Sequence, residues 1–272
     1  MPDQAHDLRR LATHCTRTES PRRSGRPTLV VVAGGKGGVG TTTVALSLAA
    51  AVAQTGRRTL LVDADSRGGN VALICGIEER HTLADVLAGR RTWNEATYAG
   101  PGGVGLIVGQ RGWHGCGSPA GTAGQLLEQL DRPDLPADLA VIDAGNMLDG
   151  IVPHVCREVD AVFMVTTSDA ASVVGTFAGI KALISVSCHS GWRPPLHLVV
   201  NMAPAARVAE IVYYRLARTC RRVLGIELQS AGHMATATPA RTNSRRNTIG
   251  LNLQVPFADT VRSVLAAEVL LN

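Results

Sequence analysis

The sequence predicts an α/β protein in which helices cover both faces of a mostly parallel sheet. Short apolar runs recur along the 272 residues, and longer helical patterns separate them, as in strand–helix–strand units. These runs are continuously apolar, which is typical of strands that are buried on both faces. The hydrophobic content of 45% is enough for a large core, and the aromatic content of 3% makes that core aliphatic. The expected architecture is a three-layer sandwich.

The elements follow one another in a regular order. The runs that predict strands are 28–33, 59–62, 104–108, 139–142, 161–166 and 196–200. The patterns that predict helices are 41–54, 82–88, 121–131, 150–157, 170–187, 205–223 and 258–271. A chain of this length suits one α/β domain, which we place at residues 28–272. The last helix is interpreted as packing on the sheet, because it lacks the basic polar face of an interfacial helix.

The residues before this domain are distinct in composition. Residues 14–27 are rich in Arg, Ser, Thr and Pro and predict a flexible basic linker after a short segment, residues 1–13. Residues 1–27 hold +3 of the net charge of +5, so the remainder holds only +2. A basic tail on a nearly neutral body does not form a DNA-binding face. We therefore expect no specific nucleic-acid partner.

Several classes of protein are disfavoured by composition. The six cysteines are widely spaced without a C-x-x-C pair, which argues against a zinc site or a disulfide framework. The N-terminus has no apolar signal-peptide region, and no stretch is long and apolar enough to span a bilayer. The expectation is a cytoplasmic protein, with at most a transient peripheral contact at the inner face of the membrane.

A glycine-rich loop, AGGKGGVGTTT at residues 33–43, directly follows the first strand. Gly35 and Gly40 have the spacing of the phosphate-binding G-x-x-x-x-G-K-[ST] loop, but Thr41 occupies the lysine position. Thr42 supplies the hydroxyl at the position that ligates Mg²⁺. One of only two lysines in the chain, Lys36, lies inside the loop. The loop therefore predicts a phosphate-binding site whose lysine lies early in the loop, at position 36, instead of at position 41.

The same loop also satisfies the dinucleotide fingerprint G-x-G-x-x-G through Gly35, Gly37 and Gly40, so an NAD-binding fold is a rival. The hydroxyl run and a second carboxylate after the next strand, in Asp63-Ala64-Asp65, favour a nucleoside triphosphate. Asp143 ends the strand predicted at 139–142, where a carboxylate can support the metal. Helix capping is an equally good interpretation of Asp143.

Four segments resemble the MinD/ParA family of dimerising P-loop ATPases, whose Walker A loop is deviant. The loop G-K-G-G-V-G-x-T-T carries the resemblance most clearly. Residues 59–77 resemble the family's switch segment, residues 81–109 its next helix–strand unit, and LHLVVNM at 196–202 its adenine-side strand. The resemblance implies a P-loop NTPase fold, ATP or ADP with Mg²⁺ as ligands, and an ATP-dependent homodimer.

The resemblance also implies roles for individual residues. Lys36 reaches the partner's nucleotide and Asp65 orients the attacking water, while Thr42, Asp63 and Asp143 serve the metal. Asn201 contacts adenine, although from sequence alone it serves equally well as a helix cap. The implied nucleotide-binding loop consists of Gly35, Lys36, Gly37, Gly38, Val39, Gly40, Thr41, Thr42 and Thr43.

The start of the chain points to one branch of the family. DQAHDLRRL at residues 3–11 resembles the D-Q-A-x-x-L-R motif of FlhG-type proteins, which limit flagellar number and placement. In that branch the short helix stimulates the GTPase FlhF. The resemblance therefore implies an FlhF-type partner and an activator helix in residues 1–13. The partner-binding residues would be Asp3, Gln4, Ala5, Leu8 and Arg9.

Thr41 departs from the family, which carries a second lysine there. The loss of one charge-assisted hydrogen bond, about 1.5–3 kcal/mol, predicts roughly 10- to 150-fold weaker triphosphate binding. Hydrolysis should suffer more, since that ammonium stabilises the charge on the leaving phosphoryl group. We expect an ATP-binding switch with weak or absent ATPase activity. The alternatives are a nucleotide-degenerate adaptor and a ParA-like segregation ATPase.

Overall fold

The structure is a computed structural model, and it describes residues 26–65, 67, 69–110, 118–132, 135–147, 151–187 and 194–235. Within these ranges eight strands form one sheet. The strands are β1 (Thr28–Gly34), β2 (Thr59–Asp63), β3 (Tyr98–Ala99), β4 (Gly105–Ile107), β5 (Leu139–Asn146), β6 (Ala161–Thr166), β7 (Leu196–Ala203) and β8 (Gln229–Ala235).

The strand order is β3-β4-β2-β5-β1-β6-β7-β8. Every neighbouring pair is parallel except β3 and β4, which are antiparallel. The carboxyl ends of the seven parallel strands therefore lie along one edge of the sheet, where open α/β sheets bind their ligands. The predicted mostly parallel sheet is confirmed.

Helices connect the strands and pack on both faces of the sheet. In the described residues they are α1 (Thr41–Ala53), α2 (Val71–Cys75), α3 (Leu83–Leu87), α4 (Trp93–Ala96), α5 (Pro119–Leu130), α6 (Val152–Val155), α7 (Ala170–Ser187) and α8 (Ala206–Thr219). A 3₁₀ turn at Pro101–Gly103 precedes β4, and a π-helical turn at Cys220–Leu224 extends α8. The three-layer prediction is correct.

Two aliphatic cores lie on opposite faces because successive side chains of a strand point to opposite sides. Leu29 and Ile142 face a core that also receives Leu216 of α8. Val30 and Val141 face the other core, which receives Leu48 of α1. All of these side chains are almost fully buried.

The position of β1 distinguishes the two nucleotide folds that the glycine loop allowed. Strand β1 pairs with β5 on one side and β6 on the other. In the dinucleotide-binding order 3-2-1-4-5-6, the first strand instead neighbours the second. Here β5 separates β1 from β2. The NAD-binding alternative is therefore wrong.

The remaining differences from the predicted elements have local causes. The strands β3 and β8 were not predicted: β3 has two residues, and β8, QSAGHMA, has no apolar run. The helices α2 and α4 are too short, at five and four residues, to show a helical period. The predicted helix at 258–271 lies outside the described residues.

Candidate nucleotide-binding site

The glycine loop connects β1 to α1 at the carboxyl edge of the sheet. Helix α1 begins at Thr41, and its N-cap is Gly40, whose φ of 82° is left-handed. The cap has no side-chain hydrogen bond. The first amides of α1 therefore have no side-chain acceptor from the cap, and a helix N-terminus of this kind favours an anion.

Gly35 holds the loop against α7. A Cβ atom at position 35 would lie 2.1 Å from the backbone nitrogen of Thr176, and one at Gly175 would lie 2.3 Å from the carbonyl oxygen of Gly35. The two backbones approach each other too closely for any side chain at either position. The first glycine of the motif therefore anchors the loop on a neighbouring helix.

Asn201, near the end of β7, fastens the middle of the same loop. Its Nδ2 donates to the carbonyl oxygen of Val39 at 2.8 Å, and its Oδ1 accepts from the amide of Met202 at 2.9 Å. Helix α8 begins with Ala205 as N-cap, so the capping interpretation of Asn201 is wrong. A contact with adenine stays a prediction.

The loop forms one wall of an open cleft of about 360 Å³. The opposite wall is the segment between β6 and α7, and the end of β7 closes one side. The lining residues are Lys36, Gly37, Gly38, Val39, Thr167, Ser168, Asp169, Ser172 and Met202. Four of the predicted loop residues thus line the cleft directly, while Thr41 and Thr42, at the start of α1, are buried.

Lys36 extends over this cleft and is about half exposed. Its Nζ lies 3.6 Å from Oδ2 of Asp169 on the opposite wall. The amide of Ser172 donates to the same carboxylate at 3.0 Å. This hydrogen bond lowers the pKa of Asp169, and the positive charge of Lys36 lowers it further by a smaller amount. In this conformation Lys36 forms an ion pair with Asp169 of the same chain.

Asp143 lies inside β5, because the strand continues to Asn146 rather than ending at residue 142. The helix-cap interpretation is therefore wrong. Burial raises the pKa of Asp143 to about 6, and the neighbouring Thr42 hydroxyl partly offsets the shift. Oδ1 accepts from the amide of Gly145 at 3.3 Å, whereas Oδ2 is buried without a hydrogen-bond donor.

Asp63 is directly opposite Asp143 on the adjacent strand β2. Burial, followed by repulsion from Asp143, raises the pKa of Asp63 to about 8. Its two oxygens accept from the amides of Asp65 and Val71, each at 3.2 Å. Burial and the neighbouring carboxylate therefore favour protonation of the Asp63–Asp143 pair, and Asp63 holds the start of α2 through the amide of Val71.

Asp65 lies on the loop after β2, and its carboxylate accepts from the amide of Arg67 at 3.0 Å. A Cβ atom at Gly145 would lie 2.4 Å from the Asp65 carboxyl carbon, so this loop contacts the end of β5. The three predicted acids thus come together beside Thr42.

The residues present are suited to Mg²⁺ bound together with a nucleotide. The described part of the chain contains no cluster of three metal-ligating side chains. Magnesium takes most of its ligands from phosphate oxygens and water and needs only one or two from protein. Thr42 could supply a hydroxyl, and the buried Oδ2 of Asp143 could accept from a metal-bound water.

Sequence reasoning missed the opposite wall of the cleft. Thr167, Asp169 and Ser172 follow β6, and Met202 is the penultimate residue of β7. The signal was available, since ligand contacts cluster after the carboxyl ends of parallel strands. The predicted partner-binding residues 3–9 lie outside the described residues.

A phosphate loop between β1 and α1, with β5 inserted beside β1 and its acid facing the loop, defines a P-loop nucleotide-binding protein. Residues 30–248 match the CobQ/CobB/MinD/ParA nucleotide binding domain. The chain therefore belongs to the MinD/ParA family of P-loop ATPases, and its relatives include FleN and YlxH as well as MinD proteins.

Three similar proteins illustrate this relationship. The chain is 32% identical over 206 residues to the antiactivator FleN of Pseudomonas aeruginosa, covering 75% of this chain and 72% of FleN. It is 24% identical over 212 residues to the flagellum site-determining protein YlxH of Helicobacter pylori, covering 76% and 69%. The ATP complex of a Cyanothece McdA variant superposes with a TM-score of 0.66 at 16% identity, covering 92% and 100%.

Proposed function

We propose that this chain is a nucleotide-dependent switch that regulates flagella, binds ATP or ADP with Mg²⁺, and pairs with a second copy when ATP is bound. The cleft between the loop and the start of α7 is the observation that supports this proposal most directly. The cleft is lined by Lys36 and by the loop that leads into the uncapped start of α1. The buried Oδ2 of Asp143 lies beside Thr42, outside the residues that line the cleft. The name of the similar flagellum site-determining protein YlxH supports the flagellar process.

Hydrolysis in this switch is weak or absent. Thr41 is nearly buried at the start of α1 and carries no charge. In the described residues that line the cleft, Lys36 is the one cation. A single ammonium can bind phosphates yet leaves the leaving group without its usual second positive charge. Asp65 would orient the attacking water only in the rare complexes that hydrolyse ATP.

The test of the switch is the oligomeric state of the full chain with ATP and Mg²⁺, measured by size exclusion with light scattering. We expect a dimer with ATP, a monomer with ADP, and a monomer for Lys36→Ala even with ATP. Lys181→Ala is the matched control, because Lys181 is the second of the chain's two lysines and is exposed on α7. A mass that ignores nucleotide in every variant would contradict the proposal.

The proposed partner is an FlhF-type GTPase that recognises residues 3–9. Leu8→Ala and Arg9→Ala in the full chain should abolish stimulation of the partner's GTP hydrolysis. His6→Ala should not, because position 6 is one of the variable positions of D-Q-A-x-x-L-R. Equal stimulation by all variants would rule out this contact.

A nucleotide-degenerate adaptor is the second candidate, and the uncharged Thr41 is the observation that favours it. An adaptor would bind its partner equally well with and without ATP. Calorimetry at millimolar ATP would then show no binding heat.

The proposal also includes a cytoplasmic location with transient contact at the inner face of the membrane. None of the helices in the described ranges is long and apolar enough to cross a bilayer.

A further inference from the structure

The outward face of α8 differs in composition from the rest of the domain. Residues 28–235 carry seventeen basic and seventeen acidic side chains, of which residues 206–227 hold five of the basic and two of the acidic. This segment therefore has a charge of +3, and the remainder of residues 28–235 has −3. The near-neutral net charge of residues 28–235 thus includes one basic segment, residues 206–227.

The basic side chains and two apolar ones share one side of α8. Positions 207, 211, 214, 215 and 218 recur at intervals of three and four residues and so project from the same side of the helix. Hereafter these five residues, Arg207, Ile211, Tyr214, Arg215 and Arg218, are called the α8 face. The opposite side, with Ala209, Val212 and Leu216, is buried against the sheet.

The apolar members of the α8 face are well exposed. Ile211 is 49% exposed and Tyr214 is 67% exposed. The ring of Tyr214 contacts that of Tyr213 at a centroid distance of 5.2 Å. The hydroxyl of Tyr213 donates to the carbonyl oxygen of Leu228 at 3.2 Å. Tyr213 is thereby fixed, and it supports Tyr214 at the surface.

The arginines of the α8 face have no acidic partner in the part of the chain that the structure describes. Arg221, in the turn beyond this face, pairs with Glu227 at 3.2 Å, but no such pair involves Arg207, Arg215 or Arg218. Three arginines without an ion-pair partner in the described residues surround an exposed aliphatic side chain and a supported aromatic one, and the exposed Glu210 lies on the same side of the helix. This arrangement suits an anionic surface with an apolar layer close beneath it.

We infer that the α8 face is a docking surface for an anionic lipid bilayer. Arginines are attracted to acidic headgroups, while Ile211 and Tyr214 enter the boundary between headgroups and acyl chains. A nucleic acid fits less well, because single strands need several stacking rings and Ile211 provides none. The inference rests on the membrane contact proposed above and assigns it to α8 rather than to residues 258–271.

The experiment is co-sedimentation of the full chain with vesicles of pure phosphatidylcholine or with added phosphatidylglycerol, at about 0.1 M salt, where distant surface charges are screened. Binding should require phosphatidylglycerol. Arg215→Gln with Arg218→Gln should weaken it about 30-fold, since each basic residue near the surface contributes about 1 kcal/mol, or roughly fivefold. Ile211→Ser with Tyr214→Ser should also weaken binding, although it leaves the charge unchanged.

The matched control is Arg80→Gln with Arg91→Gln, which makes the same charge change at exposed positions elsewhere. It should change vesicle binding less than about threefold, because the effect of charge falls off within a Debye length. Thermal melts establish that all variants fold, and the ATP-dependent dimer is measured separately. The failure of the membrane contact and the failure of the switch can therefore be told apart.

Three results would overturn the inference. Vesicle binding that survives both α8 variants would place the contact elsewhere and leave the membrane location standing. The absence of vesicle binding would contradict both the α8 contact and the membrane location. Binding of a DNA duplex or single strand that depends on Arg215 and Arg218, combined with no preference for phosphatidylglycerol, would identify the α8 face as a nucleic-acid surface.

Discussion

At the scale of residues, the chemistry of the site depends on where charge is present and where it is missing. Thr41 at the start of α1 carries no charge, and Nζ of Lys36 on the loop lies 3.6 Å from Oδ2 of Asp169. Beneath the loop, Asp63 and Asp143 face each other on adjacent strands, with raised pKa values. The phosphate side of the site is therefore poor in positive charge, and burial on the metal side favours the protonated form of the carboxyl pair.

Thr41→Lys should restore the missing contact. We expect Mg²⁺–ATP to bind about 10- to 150-fold more tightly than to the natural chain, because the ammonium adds a charge-assisted hydrogen bond to phosphate. Titration calorimetry with ATP and with ADP measures the change. Thr55→Lys adds the same charge at the exposed end of α1 and should leave the affinity unchanged. Equal affinities for all three proteins would exclude a phosphate cradle.

The raised pKa of Asp63 makes the folded state bind a proton that the unfolded chain releases above about pH 4. The free energy of unfolding should therefore fall as pH rises from about 5 to about 9, through the pKa of about 8. Removal of the carboxyl in Asp63→Asn should make this decline smaller by about 2 kcal/mol or more. Urea denaturation at acidic, neutral and alkaline pH within that range measures both slopes. Parallel slopes would show that Asp63 is charged at neutral pH.

At the scale of elements, the site depends on contacts between a loop and the ends of its neighbours. Gly35 rests on α7, and Asn201 of β7 holds the Val39 carbonyl. The sequence could predict the loop, because glycine spacing and an apolar strand identify it. It could not predict these contacts, because they depend on which strands are adjacent, and no local pattern states that β7 lies beside β6.

Asn201→Ala should loosen the loop. The substitution leaves the buried Val39 carbonyl without its donor, at a cost of about 1–3 kcal/mol in unfolding free energy. Nucleotide affinity should fall as well, since the loop must then be ordered on binding. Urea denaturation and calorimetry measure the two effects. Asn94→Ala, at an exposed position of α4, is the control and should change neither.

His197 makes β7 sensitive to acid. Its ring stacks on Phe163 at 4.9 Å, its Nδ1 is buried without a partner, and burial lowers its pKa to about 4. The unfolded chain takes up this proton near pH 6.5, so stability is present above that value and is lost as pH falls towards 4.

His197→Phe should remove this loss, which amounts to about 3 kcal/mol between about pH 7 and about pH 4. His233→Phe, on the partly exposed strand β8, should keep the acid sensitivity of the natural chain. Guanidinium unfolding at the two pH values measures the difference. An unchanged loss of stability in His197→Phe would assign it to other groups.

At the scale of the whole molecule, six of the eight strands were predictable because they are continuous apolar runs. The sheet order was not, since it follows from non-local pairing of these runs. The same limit applies to charge: the net value suggested a neutral body, and the fold shows that Arg207, Arg215 and Arg218 share the α8 face. Composition gives the sum of the charges. Their position on the surface can be stated only when the helix and its buried side are known.

The hydrogen bond between Asn201 and Val39 has a consequence beyond the loop. Asn201 precedes the first residue of α8 by only five positions, so the strand that grips the phosphate cradle continues almost directly into the arginine-bearing helix. The phosphate loop and α8 are therefore joined through one hydrogen bond and a short stretch of chain. If a ligand at the loop changed the position of α8, a partner bound to α8 would by linkage change the affinity of the loop for that ligand by the same factor.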